Sequence, residues 1–117
     1  MITAKETKRR FHEDRKWWKV PLFDFVDDFR RRRDPAAIQD PFEPDDEYLD
    51  ATLAGVIETL CDETGIAIPK WVREIPSCSS PFFLSGSEVL KASAIVQSPT
   101  RFRLRKVFVM ENFLHRV

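Results

Sequence analysis

Two histidines and two cysteines are the side chains best suited to chemistry, and their spacing assembles no obvious site. His12 is followed directly by Glu13 and Asp14. Adjacent helix positions point in different directions, so these three groups are not expected to converge on one metal ion or proton. A solvated helix face is the favoured interpretation. His115 is isolated near the end of the chain, where it could interact with a helix C-terminus rather than take part in catalysis.

The cysteines, Cys61 and Cys78, lie far apart and make no C-x-x-C pair. Two reduced thiols, one of them buried on a helix, are expected, with a disulfide or a redox switch as the alternative. No zinc-finger spacing is present, and the glycine-rich phosphate-binding and nucleophile-elbow motifs are absent too. The sequence therefore predicts no catalytic residue, no cofactor and no metal.

Basic side chains mixed with aromatic ones carry more information. One cluster, which could stack on bases or contact phosphates, consists of Arg15, Lys16, Trp17, Trp18 and Lys19. A second cluster consists of Arg101, Arg103, Arg105 and Lys106. Such clusters serve nucleic acid, a protein partner or acids within the same chain.

Charge along the chain falls into three blocks, although 19 basic and 19 acidic residues give a formal net charge of zero. Residues 1–33 carry eleven basic and six acidic side chains. Residues 34–64 carry ten acidic side chains and no basic one, and residues 65–117 carry eight basic and three acidic side chains. The blocks therefore have formal charges of +5, −10 and +5. Blocks of this kind either attract one another within the fold or steer a charged partner. Because the net charge is not strongly basic, pairing within the chain or with a protein is favoured over nucleic acid.

The 117 residues fit one domain. Hydrophobic residues make up 43% of the chain, and ten Phe and three Trp supply a core. No apolar run approaches the roughly 18 residues of a membrane span, and the charged N-terminus is not a secretory signal. A soluble, cytoplasmic protein is expected.

The longest predicted helix covers residues 45–64. Asp45 or Asp46 can cap its N-terminus, and Gly65 lies just past its end, as a left-handed C-cap requires. Its apolar stripe consists of Leu49, Leu53, Val56, Ile57, Leu60 and Cys61. A second helix, over 21–33, begins at Pro21 and ends in four arginines before a proline-rich loop over 34–45. A third covers 87–96, with Val89, Leu90, Ala94 and Ile95 inward, and Pro69 starts a short helical turn.

Two segments allow more than one structure. Residues 3–19 are predicted as a helix that docks through Phe11 and the Trp17–Trp18 pair, or as an arm that orders only on a partner. After residue 97, Ser98-Pro99 suggests an N-cap and a short helix to about residue 105, whereas the alternation over 101–105 is typical of a half-buried strand. The short helix is favoured, followed by an extended segment over 107–109 and a final turn from Glu111.

The fold class predicted from these elements is mostly α. We expect a small single-domain helical bundle with irregular Pro-rich connections and a short extended segment near the C-terminus. Residues 1–20 are assigned to a charged N-terminal helix or arm, and residues 21–117 to a single helical domain.

Several short motifs follow one another in the second half of the chain. They are Leu53-Ala54-Gly55, Thr64-Gly65-Ile66, Pro69-Lys70-Trp71, Pro81-Phe82-Phe83 and the stretch from Ser98 to Val109. With these motifs, residues 48–117 resemble a module of small uncharacterised bacterial proteins, and the Ser-Pro-x-x-Phe-Arg-x-Arg pattern is the most specific part. The module occurs free-standing or behind a helix-turn-helix, and its genes often lie beside nucleotidyltransferase-like toxin–antitoxin proteins. The resemblance implies a binding or regulatory role and attaches no catalytic residues. Here a charged segment stands where a helix-turn-helix would sit, which argues against DNA binding.

The first functional hypothesis is a non-enzymatic bacterial interaction protein, the antitoxin-like partner of a toxin encoded nearby. Its partner-binding residues would be Trp71, Phe82, Phe83, Arg101, Arg103 and Arg105, in line with the enrichment of aromatic and arginine anchors at interfaces. Ordinary core is the alternative for the three aromatic residues. The second hypothesis is a small nucleic-acid-binding protein that uses Arg9, Arg10, Arg15, Arg30, Arg31, Arg32 and Arg33. An enzyme with an unfamiliar site is the third.

Overall fold

Helix accounts for 61% and strand for 4% of the residues that the structure describes. The computed structural model describes residues 1–84 and 88–115. Within these ranges the elements are α1 (Ala4–Glu13), α2 (Lys19–Arg32), α3 (Glu47–Thr64), α4 (Lys70–Glu74), β1 (Phe82–Phe83), α5 (Glu88–Gln97), α6 (Thr100–Leu104) and β2 (Val107–Phe108), with short 3-10 turns at Arg15–Trp17 and Pro35–Ile38. The radius of gyration is 13.3 Å, close to the roughly 13 Å expected for one compact domain of this size. The predicted small, mostly helical fold is confirmed.

Helix α3 is the centre of the molecule, and twelve of its eighteen residues are buried. It begins after Asp46, whose side chain accepts hydrogen bonds from the backbone N–H groups of Tyr48 and Leu49. It ends at Gly65, which adopts the left-handed conformation with φ of 73°. Helices α1, α2, α4 and α6 all pack against it. None of the described helices combines the length and apolar composition that crossing a lipid bilayer requires.

Helix α1 is docked on this core. Its Phe11 is 1% exposed and meets the Trp18 ring edge-on, with 6.1 Å between ring centroids. Trp17, in contrast, is 59% exposed. Of the two structures considered for residues 3–19, the chain adopts the docked one, and Phe11 and Trp18 provide the contact without Trp17. The helix is shorter than predicted, since it ends at Glu13 and a 3-10 turn at Arg15–Trp17 leads into α2.

Close packing of α6 on α3 depends on one glycine. Gly55 is buried in the middle of α3, opposite the fully buried ring of Phe102 on α6. A Cβ atom at position 55 would lie 2.9 Å from Phe102 Cδ1, which is shorter than van der Waals contact. The missing side chain therefore lets the two helices approach.

The segment after α6 forms a short parallel pair with β1, in which Phe82 is opposite Val107 and Phe83 is opposite Phe108. The extended segment predicted near the C-terminus is thus present. The sequence predicted that Ser98 caps α6, but its side chain does not do so. Its buried hydroxyl instead donates to the Ala94 carbonyl (2.6 Å) and accepts from the Val109 N–H (2.9 Å). The N-cap assignment was wrong because the Ser98 hydroxyl is hydrogen-bonded to the backbone of Val109, directly after β2.

Helix α5 faces solvent more than its sequence suggested. Ala94 is buried, as predicted, but Leu90 is 43% and Ile95 is 50% exposed. The side chain of Val89 lies outside the described part of the chain. The inward placement of Leu90 and Ile95 was wrong. Helix α5 packs on β2 with the small side chain of Ala94 buried, and about half of each of these two larger side chains stays exposed.

We expect Gly55→Val to lower the free energy of unfolding by about 2–3 kcal/mol, because added carbon in a filled core forces ring or backbone shifts. Ala92→Val, at an exposed position of α5, should change the free energy of unfolding by less than about 0.5 kcal/mol. Urea unfolding monitored by circular dichroism compares the two variants. Equal stability of both would show that Phe102 moves aside freely.

Candidate functional site

A buried ion pair joins α3 to the end of α6. Glu58 and Arg105 are each 7% exposed, and Arg105 Nε donates to Glu58 Oε1 at 2.5 Å. The other guanidinium nitrogens donate to the carbonyls of Ile75 (2.7 Å) and Val72 (2.8 Å) at the end of α4. A buried charge is tolerated only when its partners are supplied in this way. Arg105 is therefore committed to holding three elements together.

Arg101 and Arg103 lie on α6 with part of each side chain in solvent. Arg101 binds Asp62 of α3 through two hydrogen bonds of 2.9 and 3.1 Å, and this carboxylate raises the pKa of the guanidinium above its ordinary value. Arg103 Nη2 donates to the carbonyls of Val96 (3.1 Å) and Ser98 (3.0 Å) at the C-terminal end of α5. Its positive charge thus lies at the negative end of that helix.

Three exposed apolar side chains lie on the same two helices, α5 and α6, as these contacts. Val96 is 75%, Leu104 is 69% and Ile95 is 50% exposed. We call Ile95, Val96, Arg101, Arg103 and Leu104 the α5–α6 corner. Large uncovered apolar side chains gathered on a small surface are a mark of interaction sites.

A shallow cleft continues the α5–α6 corner towards α4. Its volume is about 220 Å³, and its lining includes Leu104, Arg101, Arg105 and, from α4, Arg73. Glu58, also in the lining, is the carboxylate that Arg105 already binds. The cleft therefore brings the apolar side chain of Leu104 together with three arginines.

The three aromatic residues predicted to bind a partner are engaged in separate packing pairs. Trp71 donates its indole N–H to the Ile38 carbonyl at 2.9 Å and packs edge-on against Phe42. Phe82 lies against Tyr48, with 5.0 Å between ring centroids. Phe83 stacks on Phe108 at 5.1 Å. Successive strand side chains point to opposite faces, so Phe82 and Phe83 do not share one surface.

The arginines of the nucleic-acid hypothesis are largely paired with acids. The pairs are Arg9 with Glu6 and Glu13, Arg10 with Asp24, Arg15 with Asp46, Arg30 with Glu63, and both Arg31 and Arg32 with Asp28. Arg33 ends α2 in the left-handed conformation, and in the described ranges no carboxylate lies within ion-pair distance of it. Phosphates would have to displace most of these partners.

A larger groove of about 560 Å³ runs between α1 and residues 42–45. Buried Lys8 binds Asp45 at 2.7 Å and also pairs with Asp50, while His12 lies 2.8 Å from the other Asp45 oxygen. The Lys8 ammonium holds the pKa of Asp45 below its ordinary value. Thr3 contributes the one hydroxyl among the described lining residues, and it accepts the Glu6 N–H as a helix cap. The groove thus combines many charges with no activated nucleophile.

Neither cysteine is placed for reactivity. Both are free and buried, and burial raises the pKa of Cys61 and of Cys78 to about 11. Thiols with such values stay protonated at neutral pH and are weak nucleophiles. In residues 1–84 and 88–115, no three His, Cys, Asp or Glu side chains converge in a way that could hold a metal ion.

The sequence pointed to Arg101 and Arg103 but missed Val96 and Leu104. The available signal was the composition of α5, which is apolar on more of its circumference than one buried face requires. Leu104 follows the alternation of residues 101–105, which suggested an inward position in a strand.

We expect Glu58→Ala to lower the free energy of unfolding by about 3–5 kcal/mol, because Arg105 would remain buried without its carboxylate. Glu74→Ala, which removes an exposed carboxylate 4.0 Å from Lys70, should change it by no more than about 0.5 kcal/mol. Chemical denaturation of the two variants checks this. A Glu58→Ala protein as stable as the parent would mean that water solvates Arg105.

A second prediction concerns Asp28, which accepts the Ile2 N–H at 2.9 Å and binds Arg31 and Arg32. These contacts, the Ile2 N–H first, hold the pKa of Asp28 well below its ordinary value. Its stabilisation is thus complete above about pH 4, the pKa of an unfolded Asp, and is lost as pH falls through the lower folded pKa. Asp28→Asn should reduce stability by about 1–3 kcal/mol at pH 7, and the difference from the parent should narrow below pH 4.

Thermal unfolding between pH 2.5 and 7 measures this difference, with Asp40→Asn, in the exposed loop, as the matched control. A gap between parent and Asp28→Asn that stays constant down to pH 2.5 would contradict the role given to this carboxylate.

Comparison with protein families, curated proteins and solved structures finds no match to this chain. Its function must therefore be inferred from its own side chains. The strongest indication of a function is the α5–α6 corner. It exposes apolar and cationic groups on helices that are anchored by Gly55, Glu58 and Ser98.

Proposed function

We propose that this chain is a non-enzymatic interaction protein of the cytoplasm, and that it acts as the antitoxin-like partner of a toxin encoded beside it. The observation that carries the proposal is the exposure of Val96 and Leu104, at 75% and 69%. Leaving such side chains in water forgoes roughly 1.5–3 kcal/mol of transfer free energy for each one. A partner surface that covers them recovers this energy.

The position of the α5–α6 corner in the sequence supports the same proposal. The Ser-Pro-x-x-Phe-Arg-x-Arg stretch, residues 98–105, is the most specific part of the resemblance to the bacterial module. It contributes Arg101, Arg103 and Leu104 to the corner. A binding role for that module accounts for the exposure of Leu104, which the packing of this chain leaves in solvent.

The predicted site residues divide between framework and interface. Arg105 serves the framework, since it is buried on Glu58. Arg101 and Arg103 remain accessible beside Leu104. We therefore assign partner contact to these two arginines, Ile95, Val96 and Leu104, and we assign the aromatic residues Trp71, Phe82 and Phe83 to packing.

Co-expression with the product of the adjacent gene tests the proposal. We expect the two proteins to co-purify as a stoichiometric complex in size-exclusion chromatography with light scattering. The double variant Val96→Asp/Leu104→Asp should lose the complex, because it places charge in the covered surface. Its own stability should change little, since both side chains are exposed.

Val20→Asp is the matched control, because Val20 is 52% exposed and lies on α2. This variant should retain the complex. Absence of a complex with the parent chain, or equal loss in the control and the double variant, would contradict the proposal.

A further inference from the structure

We infer that the partner docks on the α5–α6 corner through an acidic amphipathic helix, an inference that rests on the interaction function proposed above. The corner combines apolar side chains with a local surplus of positive charge. The partner segment that complements both features must carry apolar side chains along one stripe and carboxylates beside it.

The surplus of positive charge follows from the ion pairs around α6. Residues 100–106 contain four cations and no acid, namely Arg101, Arg103, Arg105 and Lys106. Glu58 and Asp62 of α3 neutralise Arg105 and Arg101. In the part of the chain that the structure describes, Arg73, Arg103 and Lys106 have no carboxylate within ion-pair distance. Three cations near Leu104 are thus available to acids from outside.

Cations lie close to the apolar residues at two points. The guanidinium of Arg103 donates to the Val96 carbonyl, which places this cation at the C-terminal end of α5. On the other side, Leu104 shares its cleft with Arg73 and Arg101. A partner helix with apolar residues at three- and four-residue steps presents one stripe of the required kind. Glu or Asp beside that stripe would meet the arginines.

Charge favours this occupant over a second copy of the chain. A two-fold contact places the same patch against itself. Two such surfaces would then bring Arg73, Arg103 and Lys106 towards the same cations of the other copy, and like charges facing each other oppose association. A nucleic acid would satisfy the arginines but would leave Val96 and Leu104 without apolar contacts.

Selection from a random library of 16-residue peptides, displayed on phage, tests the inference on the immobilised full chain. We expect the enriched peptides to combine Leu, Ile or Phe at helical three- and four-residue spacing with a net negative charge. One enriched peptide, synthesised with a fluorescent label, should become helical on binding and should bind at least tenfold more weakly at 0.5 M than at 0.05 M NaCl.

Variants of the chain locate the binding site of that peptide. Val96→Asp/Leu104→Asp should weaken binding at least tenfold, and Arg73→Glu/Lys106→Glu should do the same while the apolar side chains and the Arg103 contacts remain. Val20→Asp should bind like the parent. A peptide in which every Glu and Asp is replaced by Lys should not bind the parent and should gain affinity for the Arg73→Glu/Lys106→Glu variant.

Several results would overturn the inference. They are enrichment of basic or uncharged peptides, enrichment of nothing above the bare support, and equal binding of acidic peptides to the parent and the Val96→Asp/Leu104→Asp variant. Dimerisation of the parent chain, or retention of DNA or RNA, that this double variant abolishes would do so as well. If the chain still co-purifies with the adjacent gene product, any of these results rejects the acidic helix and keeps the proposed function. Acidic peptides selected in the absence of that complex would reject only the toxin as partner.

Discussion

A conflict between burial and charge on α3 determines how the rest of the chain is arranged. This helix is the most buried in the described structure, yet it belongs to a segment with ten acids and no base. Asp50 and Glu58 are 4% and 7% exposed, and a carboxylate so placed is costly without a cation. Lys8 from α1 and Arg105 from the end of α6 supply the cations. The basic blocks at the two ends of the chain therefore fold onto the acidic block between them.

This arrangement explains why overall charge says little about function here. Most of the arginines that could suggest nucleic acid are paired with carboxylates. Arg15 and Arg30 bind acids of the central block, and the other paired arginines bind acids within residues 1–33. The informative cations are the few that remain beside α6, such as Arg103 and Lys106. Since they lie beside exposed Leu104 rather than along a continuous basic stripe, they suit a protein surface better than a phosphate backbone.

Local signals in the sequence predicted the elements, whereas contacts between distant residues could not be predicted. Gly65 and the acids before residue 47 marked both ends of α3, because caps depend on neighbours in the chain. Arg105 gave no comparable signal, since its partner Glu58 is 47 residues away. Leu90 and Ile95 were placed inward because α5 has apolar side chains on several faces, and only the tertiary structure decides which face is covered. The same ambiguity concealed Val96.

The two halves of the α5–α6 corner are held in different ways, and this difference bears on how it binds. Helix α6 is fixed by the Phe102 ring against Gly55 and by the Arg105–Glu58 pair. Helix α5 is tied to the body through Ala94 and Ser98, and Arg103 joins the halves by binding carbonyls at the end of α5. Because those carbonyls hold Arg103 without cancelling its charge, a carboxylate from a partner can add to the contact rather than break it. The arginine that orders the surface is thus also the one that a partner can recognise.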